Sequence, residues 1–290
     1  MASTLLIANN YLCHSGDNTI FRRLGTAISN AFANSGWVQA NDAGQINWTT
    51  VVANGTFTSW AGSEIWRMND AWANVAPIYV KIDYGTAGGT NNPQLQWTLG
   101  SGSNGALGLT GVISANTGAR MSAVSTTVPV PCYFCGNPDR IILTLMCGGN
   151  TTGQTLGIER TRDANGNTTP EGALIFQCGG SSQGGYTQQY WNCKTGPAVV
   201  ESSIGVFISS ATWSGLGPQF NWYPIYPSNG VFTKPLFNYI CASNYHVTPQ
   251  IPFSVTHYGA THTYMPIGGV APTNRSGQAA GNFPIAMLWE

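Results

Sequence analysis

Residues 78–84 read Ile-Tyr-Val-Lys-Ile-Asp-Tyr, and this alternation constrains the fold more than any other stretch of the chain. Successive side chains of a strand point to opposite faces. Ile78, Val80, Ile82 and Tyr84 therefore share one side, and Tyr79, Lys81 and Asp83 the other. One side requires a core and the other tolerates water, so the segment reads as a half-buried strand. Just upstream, residues 62–70 place Glu64, Arg67 and Asp70 among Ile65, Trp66, Met68 and, slightly further on, Trp72. β-Branched and aromatic residues suit a pleated surface. A carboxylate crowded by them needs a compensating partner. The expectation is that Glu64, Arg67 and Asp70 form structural ion pairs at a strand end and turn and so fix register. An active site is the alternative reading of the same charges.

The same two-residue period recurs along the chain. Residues 37–39 and 45–52 read as strands parted by the turn Asn41-Asp42-Ala43-Gly44, and 94–100 alternates from Gln94 to Gly100. Residues 101–105 read as a further turn. The clearest hairpin runs from Leu156–Arg162 through Asp163-Ala164-Asn165-Gly166-Asn167 to Gly172–Cys178, with Asn-Gly supplying the positive φ that such loops use. Further strands are expected near 107–114, 121–130, 140–147, 186–193, 204–210, 218–226, 236–243, 251–258 and 260–267. One helix is expected, about 17–36. Asp17 or Thr19 caps it, Leu24, Ile28 and Phe32 form its apolar stripe, and Gly36 stops it. The fold class is mainly β: antiparallel, sandwich-like sheets with the N-terminal helix packed on one of them. The chain divides into an N-terminal arm and helix (1–36), a β region (37–178) and a second β region (186–290). The Gly/Ser/Gln run at 179–185 is either a linker or a loop within one domain.

Charged residues make up 8% of the 290, against about 25% in an average soluble domain, and net charge is zero. Nothing here would draw the chain to nucleic acid or to an anionic membrane. A 42% hydrophobic content excludes disorder as the reason for so little charge. The polar surface must consist of Asn, Gln, Ser, Thr and Gly, which suits burial in an assembly, or sugar binding. No apolar run reaches the roughly 18 residues of a membrane span. The first residues lack the basic segment of a secretory signal, so synthesis in a cytoplasm with reduced thiols is expected.

Several constellations invite chemistry. Cys132-x-x-Cys135 with Cys147 resembles half a zinc ribbon, but Cys178 and Cys193 complete four ligands only through folding, and buried thiols are the expectation. His257 and His262, with His246 upstream, are five apart. That puts them on opposite faces of a continuous strand, unless the chain turns at Gly259. Asp163, Asn165 and Asn167 imitate a calcium loop, but Leu174 stands where the bidentate Glu is required. Glycoside hydrolysis would need two carboxylates flanking a sugar; Glu64, Asp70, Asp83 and Glu159 are the candidates, and no spacing singles out a pair. Tyr190, Trp191, Trp213, Trp222, Tyr223 and Tyr226 are candidates for stacking on glycans or for packing at a subunit interface. Leu5, Leu6 and Ile7 at one end, and Met287, Leu288 and Trp289 at the other, are candidate assembly contacts. The apolar C-terminal run is expected to dock in its own sheet or on a neighbouring subunit. No cofactor, metal or catalytic residue is expected.

The run Thr19-Ile20-Phe21-Arg22-Arg23-Leu24-Gly25-Thr26-Ala27-Ile28-Ser29, then Gly36-Trp37-Val38-Gln39 and Asp42-Ala43-Gly44-Gln45-Ile46, resembles a group of virion structural proteins of tailed bacteriophages. So do residues 64–70, 76–78, 157–166 and the end Met287-Leu288-Trp289-Glu290, in order along most of the chain. Members are often labelled tail or fibre proteins. The resemblance implies a virion component without known catalysis, and it carries no ligand or catalytic residues. The Cys132 segment is not a feature of the group. The expected function is structural: a tail protein (fibre, adaptor or baseplate) assembling with copies of itself and other virion proteins. A capsid decoration or head-fibre protein, and a receptor module for host surface glycan, stand as alternatives.

Overall fold

The computed structural model describes residues 2–6, 18–50, 60–85, 94–112, 132–147, 152–162, 167–179, 187–192, 196–201, 222–225, 236–242, 252–257, 260–266 and 285–289. In chain order the elements are β1 (Ala2–Leu6), α1 (Asn18–Asn34), β2 (Val38–Gln39), β3 (Trp60–Arg67), β4 (Tyr79–Gly85), β5 (Gln94–Gly100), β6 (Gly102–Ser103) and β7 (Leu109–Thr110). There follow β8 (Cys132–Asn137), β9 (Arg140–Cys147), β10 (Thr152–Arg162), β11 (Thr168–Gly179), β12 (Thr187–Asn192) and β13 (Gly196–Glu201). The last are β14 (Trp222–Ile225), β15 (Leu236–Ala242), β16 (Phe253–His257), β17 (Ala260–Pro266) and β18 (Ile285–Leu288). The protein is mainly β, with several antiparallel sheets and, among the described residues, one helix, which touches two of them.

A four-stranded sheet, β2-β3-β4-β5, is built on the alternating segment. Ile78, Val80, Ile82 and Tyr84 are all fully buried, as the two-residue period requires. Val80 pairs with Trp66 on one side and Leu99 on the other, and Ile82 with Glu64 and Trp97. Residues directly opposite share a face, so Glu64 stands on the core face, between Trp66 and the sheet's aliphatic row. Beyond the two residues of β2, the outer edge of β3 is closed by the loop that follows. Ala40 N–H donates to Ile65 O and Ile46 N–H to Ser63 O, each at 2.9 Å, and the Gln45 side chain accepts from Ile65 N–H. Such an edge is not left open to strand pairing.

The helix α1 lies between this sheet and a larger one. Leu24, Ile28, Ala31 and Phe32 form its buried stripe. The Phe32 ring meets Trp66 and Trp97 of the small sheet at 5.5 and 5.6 Å and Phe134 of β8 at 6.0 Å. The helix ends in a Schellman motif. Trp37 N–H reaches Phe32 O, Gly36 N–H reaches Ala33 O, and Gly36 takes φ +87°. The accompanying apolar contact is Phe32 against Trp37, edge-on at 5.3 Å. The Trp37 indole N–H then donates to Asn137 O, tying the helix end to the β8–β9 turn.

The larger sheet has seven strands in the order β1-β8-β9-β10-β11-β12-β13, and another has five, β14-β15-β18-β17-β16. The expected hairpin is β10–β11, with a bulge between Arg160 and Arg162; its residues 163–166, including Asp163 and Asn165, lie outside the described residues. Thr161 fills the bulge: its hydroxyl bonds both the N–H and the C=O of Gly172 at 3.2 Å. Strands β11 and β12 pair directly, so one sheet has strands on both sides of the Gly/Ser/Gln run at 179–185. Residues 2–6 form a strand paired antiparallel with β8. The C-terminal strand β18 lies inside the five-stranded sheet, and Trp289 reaches the seven-stranded one by an edge-on contact with Tyr133 at 6.2 Å.

Candidate functional site

Two of the charged residues of 62–85, Glu64 and Asp70, sit at two separate joints of the core. At the first, Glu64 is buried beneath α1, with no cation beside it among the described residues. Its Oε1 accepts from the Trp48 indole at 2.8 Å, and its Oε2 from the Trp66 indole and the Tyr84 hydroxyl, both at 3.1 Å. Ser29 of α1 adds a further hydrogen bond. Burial pushes the Glu64 carboxyl above its usual range, and the four donors only partly offset this. The Tyr84 hydroxyl is raised well above its ordinary value by burial and by the carboxylate beside it. The Trp48 ring stands edge-on to Tyr84 at 4.7 Å and lies over Gly25, where an added Cβ would come within 2.1 Å of it. Helix, loop and sheet thus meet on one carboxyl group.

At the second joint, Asp70 pairs with Arg160 of β10, which is fully buried. Arg160 Nη2 also donates to Asp70 Oδ1 at 3.1 Å and to Ala76 O at 3.0 Å. The Trp72 indole donates to Thr168 O at 3.0 Å. Residues 68–78 are thereby fastened across to the bulged hairpin. Of Glu64, Arg67 and Asp70, expected to form structural ion pairs, Asp70 is in one. Glu64 is satisfied by neutral donors, Asp70 by a cation 90 positions away, and Arg67 forms no salt bridge with either acid. Indole N–H groups and a phenol stand in for the arginine because the core face of the sheet offers aromatics, whereas Arg67 is a half-exposed strand-end residue.

The remaining candidates divide by position. Asp83 accepts from the Ser63 hydroxyl and pairs with Lys81 at 3.0 Å. Glu159 faces Arg140 across the β9–β10 ladder, with a nearest N···O of 3.8 Å. Each of the four acids considered for sugar cleavage therefore has an internal partner. Cys132 and Cys135 lie three apart on β8, which puts them on opposite faces of the strand, and Cys135 is buried. Among the described residues no group of three His, Cys, Asp or Glu is placed to hold a metal. His257 and His262 fall on the two strands of one hairpin, His257 opposite Ala260 and His262 opposite Val255, so the chain does turn between them.

Tyr190 and Trp191 lie on β12, Trp222 and Tyr223 on β14, Leu5 and Leu6 on β1 and Met287 on β18; their side chains lie outside what the structure describes. Ile7, Trp213, Tyr226, Cys193 and His246 lie outside the described residues altogether. Leu288 is 1% exposed, and the Trp289 N–H donates to Thr263 O, so of the two dockings expected for the C-terminal run these residues make the one in their own sheet. The residues missed in the sequence are Arg160, Trp48 and Ser29. Arg160 is one of three charged residues on β10, beside Glu159 and Arg162, so nothing in the sequence set it apart. A search against known protein families gives no match, and neither does one against curated proteins.

Proposed function

We propose that the chain is a structural component of a tailed-phage virion, a tail protein of the fibre, adaptor or baseplate kind, working by assembly with copies of itself and with neighbouring virion proteins. The observation that carries this reading is where the phage-like segments fall. Ser29, in the first of them, bonds Glu64 in another; Asp70 ends that one and pairs with Arg160 in a third; Trp37, in a fourth, ties the helix to the β8–β9 turn. Several of the resembling residues stand at joints between layers, which suits a part whose task is to keep its shape under load. The internal engagement of Glu64, Asp70, Asp83 and Glu159 also favours a mechanical role over a glycan-cleaving one.

Light scattering on the purified chain, with immunolabelling of phage particles, tests the reading. A solution mass at a fixed multiple of 30.8 kDa and label on the tail are the expected results. Label on the head would move the protein to the decoration reading. A monomer absent from particles would overturn the virion role, and a glycan array would then test the receptor alternative.

A further inference from the structure

Strands β6 and β7 form a two-stranded ribbon closed by residues 104–108, and the turn at Asp42 clamps it. Asp42 Oδ1 accepts from the Ser103 hydroxyl and from Leu107 N–H, and Ala43 N–H donates to Gly105 O at 2.9 Å. Ser103 Oγ in turn accepts from Gly105 N–H at 3.1 Å. On the other side of the same peptide, Asn104 Oδ1 accepts two backbone N–H groups, from Ala106 at 2.8 Å and Gly108 at 2.9 Å. Asn104, Gly105 and Ala106 are exposed.

We infer that Asn104–Gly105 is a self-modification site, at which the folded loop converts the asparagine through a succinimide into aspartate or isoaspartate. The chemistry needs a base for the Gly105 N–H, an electrophilic Asn104 Cγ, and room for a five-membered ring. The chain Gly105 N–H to Ser103 Oγ to Asp42 carboxylate is a proton relay with the serine hydroxyl in its middle. The two N–H groups on Asn104 Oδ1 are aimed where negative charge develops when Cγ becomes tetrahedral. Gly105 (φ +79°) and Leu107 (φ 62°) both take left-handed backbone, the kind of curvature that turns successive N–H groups toward one oxygen. Gly108 leaves space for the amide, since a Cβ there would come within 2.3 Å of Asn104 Nδ2.

In the first step the Gly105 proton passes to Ser103 as the serine proton passes to Asp42, and a bond forms between Gly105 N and Asn104 Cγ. The Cγ–Nδ2 bond then breaks and ammonia leaves, its extra proton returned from Asp42 through water. Water next adds to one of the two ring carbonyls and opens the ring. Opening at Cγ gives aspartate; opening at the main-chain carbonyl gives isoaspartate, with one more carbon in the backbone. No oxidant or cofactor takes part. The product is a new negative charge on a chain whose net charge is zero.

Peptide mapping by mass spectrometry in ¹⁸O-water, on the full chain held at neutral pH, tests this. The sequence contains three other Asn-Gly pairs, at Asn54, Asn165 and Asn229, as controls in the same digest. The expected result is conversion at Asn104 on the order of tenfold faster in the folded chain than in the urea-unfolded chain. Ser103→Ala should lower it to the unfolded rate and Ser103→Thr should recover it. Conversion no faster in the folded chain would overturn the proposal, as would an unchanged rate in a folded Ser103→Ala. If that variant fails to fold, the folded-to-unfolded ratio of the native chain decides alone.

Discussion

Glu64 is buried on the core face of the small sheet beneath a helix, and its protonation is linked to folding. Its carboxyl is raised in the folded state, so the folded chain holds the proton over a pH range in which the unfolded chain has lost it. The associated stability is fully present below the ordinary carboxylate range and is lost as pH rises through the folded value. Comparing urea unfolding of the native chain with Glu64→Gln isolates the effect. The native chain should lose ground to the variant as pH rises, and a trend in the opposite direction would mean that the donors outweigh burial. Asp70 and Arg160 differ in kind because both charges have left water. Asp70→Ala strands a buried guanidinium and should lower unfolding free energy by about 3–5 kcal/mol. A double replacement with apolar residues of similar volume should lower it far less, as a double-mutant cycle would show. None of these partnerships was visible in the sequence. Crowding by aromatics points to an arginine partner for Glu64, but the register of β3 on β4 brings the Tyr84 phenol to it, and the loop after β2 brings the Trp48 indole. Arg160 lies too far along the chain for any local pattern to connect it with Asp70.

The elements themselves were far more readable. A two-residue period fixed β4, Asn-Gly marked the β10–β11 hairpin, and a stripe ending in glycine fixed α1. Each of these signals is local, so a sequence can carry it whole. Gly36 stops the helix because its conformation is left-handed and its missing side chain lets Pro138 approach. Gly36→Ala should therefore cost about 1–2 kcal/mol from backbone strain alone, with the contact to Pro138 Cγ at 3.0 Å adding to it. A lowered thermal midpoint with unchanged far-ultraviolet circular dichroism is the expected signature. The run at 179–185 was ambiguous for a physical reason. Gly and Ser serve flexible linkers and hairpin loops alike, and the pairing of β11 with β12 across the run is a contact the run itself does not encode.

Among the described residues, the layers meet at Phe32 between two sheets, at Asp70 on Arg160, and at Trp289 on Tyr133. The place of β18 inside its sheet changes what a C-terminal truncation would report. Removing residues 283–290 takes a strand from between β15 and β17, so the truncated chain should lose cooperative unfolding, and any change in its mass would reflect misfolding. A folded, cooperative truncated chain would contradict this placement. The pairing of β1 with β8 has a different consequence. Ala2 lies opposite Gly136, with the helix and the entire four-stranded sheet threaded between them in sequence. Contacts of such separation form late, after the intervening chain has given up much of its freedom. The outer edge of β8 therefore waits unpaired while the rest of the polypeptide is being arranged, and the time needed to reach the finished shape is set by this closure and not by the helix.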